Sequence, residues 1–112
     1  MKQISGGVTA AKGFCAASTA AGIKYKERKD MALIFSKTPC KAAGTFTTNI
    51  VKAAPVKWDQ KIVAESACAH AVVVNAGIAN ACTGQEGMDY CSQTADHAAE
   101  LLKIPADSVL VA

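Results

Sequence analysis

The sequence predicts a layered α/β (α+β) fold, a mixed sheet with packed helices, and three observations carry that prediction. Residues 69–74 are a continuous valine-rich run bounded by Asn75 and Gly77, the pattern of a core strand covered on both faces. Beyond Gly84, apolar residues recur every three or four positions at Met88, Cys91, Ala95, Ala98, Leu101 and Leu102, which is the stripe of an amphipathic helix. Small and polar residues alternate from Gly13 to Gly22, and β-favouring Thr45, Phe46, Thr47 and Thr48 cluster before Asn49, as in short strands.

Taken in order, residues 14–24 and 30–36 form a hairpin around the charged stretch 24–30. Thr38-Pro39-Cys40-Lys41 has turn composition, and residues 43–49, with Thr45, Phe46, Thr47 and Thr48, suit a third strand. Pro55 opens a helix over residues 56–66 that sets Val56, Ile62 and Val63 among charges. The strand at 69–74 then enters a loop, residues 75–84, ahead of the long helix. Thr83 and Glu86 have the Thr-x-x-Glu spacing of a capping box at its start. Residues 104–107, with Pro105, close that helix, and 108–112 begin another strand. Ending on such apolar residues is expected of a partial domain, with residues 1–112 cut short at the C-terminal side.

Composition narrows the function classes. Of the 112 residues, 51% are apolar but only 5% aromatic, so small side chains let backbone elements approach closely. The net charge is +3, with lysines spread along the chain and no basic run interleaved with stacking aromatics, so no nucleic-acid partner is expected. Residues 1–9 lack the pattern of a secretory signal. The apolar stretch 68–82 is interrupted by His70, Asn75 and Asn80 and is too short to span a bilayer, so no membrane partner is expected either. Five cysteines without a Cys-x-x-Cys pair fit reduced thiols in a cytoplasmic protein, with no metal site and no cofactor.

The candidate site is the loop of residues 75–84. Asn75, Gly77, Asn80, Thr83 and Gly84 lie between a buried strand and a helix N-terminus, where α/β sheets bind ligands. Asn and Gly are also ordinary turn residues, and no phosphate-binding signature is present. No catalytic residue can be assigned. Ser18, Ser66 and Ser92 lie in no nucleophile-elbow context, and His70 and His97 lack an evident orienting carboxylate. A small-molecule or nucleotide-binding α/β module without catalysis is the alternative reading.

Five segments share order and spacing with a known family: residues 7–14 (Gly-Val-Thr-Ala-Ala-Lys-Gly-Phe), 30–34, 43–49 (with Thr-Phe-Thr-Thr-Asn), 53–56, and 74–84 (with Asn-Ala-Cys-Thr-Gly). The chain resembles the N-terminal part of the ornithine acetyltransferase family, also called glutamate N-acetyltransferase. It departs from the family pattern at Ala11, Ala76 and Ile78. The resemblance implies an arginine-biosynthesis enzyme that moves acetyl from N-acetylornithine to glutamate through an acetylated threonine, some members also accepting acetyl-CoA. It implies autocatalytic cleavage just before that threonine and an assembly of two α and two β chains. It also implies a fold related to N-terminal-nucleophile hydrolases. The reactive threonine and the oxyanion-hole Thr-Gly pair would lie beyond Ala112, in a C-terminal remainder and β-subunit, leaving residues 1–112 inactive alone as part of the α-subunit region.

Overall fold

The computed structural model describes residues 2–112. Strand β1 (Phe14–Thr19) turns back into β2 (Met31–Cys40), helix α1 (Ala54–Glu65) leads to β3 (Ala69–Asn75), and helix α2 (Gly84–Leu102) leads to β4 (Val109–Val111). Short 3₁₀ turns at Val8–Ala10 and Ala106–Ser108 introduce β1 and β4. The sheet order is β1-β2-β3-β4. The first three strands are antiparallel neighbours and β4 runs parallel to β3, with Ala71 opposite Val109 and Val73 opposite Val111. The mixed sheet is therefore as the sequence predicts, and α2 is the crossover that a parallel pair requires.

Both helices lie on one face. Ala71, Val73, Val109 and Val111 of the sheet meet Ala54 of α1 and Cys91, Ala95 and Ala99 of α2 in one buried cluster. The opposite face carries Ala32, Ile34, Val72, Val74 and Leu110, all half-buried. The core strand is thus buried on alternate residues, where coverage on both faces was expected. Most of the expected stripe of α2 faces the core, with Cys91 and Ala95 buried and Met88, Ala98 and Leu102 packed against the cluster, but its centre is displaced. Its buried positions are Gly87, Cys91, Ala95 and Ala99, four residues apart, whereas Leu101 is 84% exposed. Small side chains on that line let α2 approach the sheet closely, so spacing and size outweigh hydrophobicity in choosing the buried face.

Two further expectations are corrected. Strand β2 runs through Thr38 and Pro39 to Cys40 instead of turning at Thr38. A register shift between Phe35 and Cys40 frees Pro39 from the ladder, the circumstance in which a strand tolerates proline. Residues 43–49 form no strand. Thr47 Oγ1 accepts the Asn49 N–H at 3.2 Å and Asn49 Oδ1 accepts the Val51 N–H at 3.0 Å, local bonds that compete with a ladder. Pro55 does open α1, in its first turn. Helix α2 ends on left-handed Lys103, with the Ile104 N–H returning to Ala99 O at 3.0 Å, one residue before Pro105.

Candidate functional site

Three chain segments meet at one end of the sheet. The base of the β1–β2 hairpin is tied by the Asp30 N–H to Thr19 O at 3.1 Å. The Ala76 N–H donates to Asp30 O and the Asn75 N–H to Ala112 O, both at 2.8 Å, which joins the hairpin, the 75–84 loop and the end of β4. A cavity of about 520 Å³ opens between them, lined by Ile23, Asn75, Asn80, Tyr90 and Val111 among others. It stands at the carboxyl ends of the parallel pair β3 and β4, the usual ligand position in α/β sheets.

The loop is built around Asn80, which holds a left-handed φ of 46°. Its carbonyl accepts the Ala54 N–H at 3.2 Å, joining the loop to the start of α1. The side-chain amide donates to Gly87 O at 2.9 Å and reaches Cys91 Sγ at 3.4 Å, while its Oδ1 accepts the Thr83 hydroxyl at 2.7 Å. Asn80 and Thr83 therefore spend their polar atoms on the loop itself. This also overturns the capping box: Thr83 makes no side-chain cap, and Glu86 instead accepts the Tyr90 hydroxyl at 2.5 Å. Asn75 donates to Ile78 O at 2.8 Å, again within the loop. Gly77, at φ +112°, could carry no side chain without coming within 2.9 Å of Lys24 Cβ, and Gly84 has φ +60° at the head of α2. Of the five candidate residues, Asn75 ends β3, Gly84 opens α2, and Gly77, Asn80 and Thr83 lie in the loop between them. Asn75, Asn80 and Thr83 line the cavity, whereas Gly77 and Gly84 do not.

Sequence reasoning missed three residues here. Gly87 is buried, and a Cβ there would collide with Thr83 Oγ1 and stand 2.5 Å from Asn80 Oδ1. A glycine inside a helical pattern was the available signal. Trp58 and Asp59, adjacent on α1, bind the outer edge of β4. The Trp58 indole N–H donates to Val109 O and the Val111 N–H donates to Asp59 Oδ1, each at 2.9 Å. No local pattern marks a contact across some fifty residues of chain.

The electrostatics do not make a nucleophile. Burial first, and the Asp59 charge second, push the Cys91 thiol up, against the Asn80 amide. A thiol so placed is not the thiolate that attacks acyl groups. Burial likewise raises the Asp59 carboxyl, partly offset by the Val111 N–H. His70 lies apart from the loop, its Nδ1 3.1 Å from Ser36 O. His97 is exposed beside a separate apolar groove between the hairpin and α2. All five cysteines are free, and among the described residues no group of three His, Cys, Asp or Glu could hold a metal. No described helix is long and apolar enough to cross a membrane.

Residues 15–112 match the model of the ArgJ family. The chain is 50% identical to the arginine biosynthesis bifunctional protein ArgJ of Gloeobacter violaceus over 97% of its own length, but over only 27% of that relative. The chain spans about a quarter of the curated relatives it matches. Its fold matches the crystal structure of ArgJ from Bacillus halodurans with a TM-score of 0.89 at 42% identity, covering 95% of this chain and 55% of that one. Ornithine acetyltransferase of Mycobacterium tuberculosis, solved in complex with ornithine, matches with a TM-score of 0.88 at 45% identity, over 94% of this chain and 57% of that one. With a family match over nearly the whole chain and close agreement in fold, this chain belongs to the ArgJ family.

Proposed function

We propose that this chain is the scaffold portion of an acetyltransferase of arginine biosynthesis that moves an acetyl group from N-acetylornithine to glutamate. The family match over residues 15–112 carries this reading. An ornithine acetyltransferase of the same fold that binds ornithine supports an amino-acid substrate. The chain supplies cavity walls and holds the end of β4 in place. The acetyl-accepting threonine belongs to polypeptide outside residues 1–112, because no described residue combines a nucleophile with a base and an oxyanion hole.

Coverage supports a two-chain enzyme. This chain spans 27% of the Gloeobacter relative but 55% of the crystallised Bacillus chain, so that chain is about half as long as the relative. Such a length is expected when a precursor cuts itself just before the reactive threonine. The α and β chains then stay together as a hetero-oligomer of two each, in the cytoplasm, with acetyl-CoA as a second donor in some members. An N-terminal threonine can use its own amine to activate its hydroxyl, which splits a difficult transfer into two acyl-transfer steps.

The test pairs the full-length protein with this chain. Full-length protein should transfer acetyl from N-acetylornithine to glutamate, and mass spectrometry of the trapped intermediate should find acetyl on a threonine beyond residue 112. This chain alone should transfer none. Turnover by the chain alone, or acetyl trapped within residues 1–112, refutes the assignment. Nucleotide binding by the unaided chain would favour the non-catalytic module instead.

A further inference from the structure

The net charge of the chain is +3, and residues 24–29, Lys-Tyr-Lys-Glu-Arg-Lys, hold four cations against one anion. That hairpin tip carries the whole excess, since the basic and acidic residues of the rest balance. The distribution is more focused than the scattered lysines of the sequence suggest. Lys24 Nζ and Arg28 Cζ stand 5.4 and 5.2 Å from the centroid of the Tyr25 ring, which gathers two of the cations on one aromatic. Asp30, next in sequence, directs its carboxylate to backbone amides of the hairpin base. The residue is 3% exposed, and its carboxylate accepts the Ala21 and Ile23 N–H groups at 2.6 and 2.7 Å.

The same clamp fixes where the charge sits. Ile23 lines the 520 Å³ cavity, and the Lys24 side-chain carbons pack against Gly77 of the 75–84 loop, so the charged tip springs from the segment that walls the cavity. A field of one sign beside a cleft raises the local concentration of ions of the other sign.

We propose that the residue 24–29 tip gathers the anionic substrate of the reaction, the dicarboxylic amino acid acceptor, at the mouth of this cavity. The inference rests on the acetyl-transfer reading and deepens it. At neutral pH glutamate carries two carboxylates and one ammonium, a net charge of −1. N-acetylornithine carries one of each and is neutral overall. The tip therefore distinguishes the two substrates by charge, attracting the acceptor and leaving the donor unaffected. Lysine and arginine suit carboxylates, and the attraction weakens as salt screens it.

The experiment uses the full-length enzyme carrying this sequence. Lys26→Glu with Lys29→Glu turns the tip from +3 to −1 without touching the two cations that flank Tyr25. The KM for glutamate should rise about tenfold, with kcat and the KM for N-acetylornithine within about twofold of the parent. In the parent the glutamate KM should rise with added sodium chloride, and in the variant that dependence should vanish or reverse. Lys26→Arg with Lys29→Arg should keep the parent values, because it preserves charge. An active parent whose glutamate KM ignores both the reversal and the salt overturns this inference alone, as does an equal rise in both KM values. A well-folded parent that transfers no acetyl to glutamate overturns the acetyl-transfer reading and this inference with it.

Discussion

Strand β4 is three residues long and has one strand neighbour among the described residues, β3, so its stability depends on what meets its outer edge. Val109 and Val111 turn backbone groups outward there, and the side chains of Trp58 and Asp59 take the place of a fifth strand. Removing either partner should loosen the strand end that closes the cavity. Trp58→Phe deletes one neutral hydrogen bond, a loss of about 1 kcal/mol, together with the part of the indole that packs on the core. Asp59→Ala leaves the buried Val111 N–H without its acceptor and should cost about 1–3 kcal/mol. Asp59→Asn keeps an acceptor while removing the half-buried charge, so it should cost less than half as much as the alanine variant.

The pH dependence follows from burial. The folded-state pKa of Asp59 is raised, so the folded chain holds the proton more tightly than the unfolded chain does. The parent should therefore lose stability relative to Asp59→Asn as pH rises from about 3.9, the ordinary carboxylate value, through the raised one. Urea unfolding followed by far-UV circular dichroism measures each variant, and amide exchange at Val111 reports the edge directly. Double substitution should show a coupling above about 0.5 kcal/mol, since both bonds hold the same short strand. An Asp59→Ala loss below about 0.5 kcal/mol, or unchanged exchange at Val111, would refute the edge-clamp account.

Two other tests address the site loop and the hairpin base. Gly87→Ala, normally stabilising within a helix, should cost about 1–3 kcal/mol here because its Cβ meets Thr83 Oγ1. Adding Thr83→Ala should recover part of that loss in denaturant titrations, and no recovery would contradict the close approach. At Asp30, burial raises the carboxyl pKa, but the amides of Ala21, Ile23, Asp30 and Gly22 outweigh it and hold the pKa below the usual range. Its contribution is complete above about pH 3.9 and is lost as pH falls through the lower folded value. Amide exchange at Ala21 and Ile23, corrected for its intrinsic pH dependence, should lose protection in that acidic window, and pH-independent protection would sink the assignment.

Much of the fold was legible because local pattern and tertiary packing agree. The hairpin, the helix at Pro55, the valine strand and the helix beyond Gly84 all form where residue type and period place them, although the first hairpin strand ends at Thr19 and not at Lys24. Failures occur where side chains choose among competing partners. The Thr83 hydroxyl can cap a helix or bond Asn80, and only the folded loop brings Asn80 Oδ1 to 2.7 Å. The threonines of residues 43–49 suit a strand, but no described strand pairs with them, and Asn49 satisfies its neighbours locally. Leu101 outranks Ala99 in hydrophobicity, yet the four-residue spacing of Gly87, Cys91, Ala95 and Ala99 decides which side faces the sheet.

The candidate site was legible as a place and not as a set of roles. Asparagines and glycines between a strand and a helix mark where a sheet opens, since those residues accept the backbone angles the exit demands. They do not reveal whether a side chain faces the ligand or the loop. In this structure Asn75 and Asn80 face the loop, which makes them determinants of cavity shape. Substituting them should disturb folding and substrate affinity together. The cations of the hairpin tip have the opposite character. Their charges are not committed to the core, so exchanging them should alter how an anion arrives while leaving the packing beneath unchanged. A short strand end held by α1, a loop bonded to itself and a charged hairpin tip thus divide the work at this end of the sheet among position, shape and attraction.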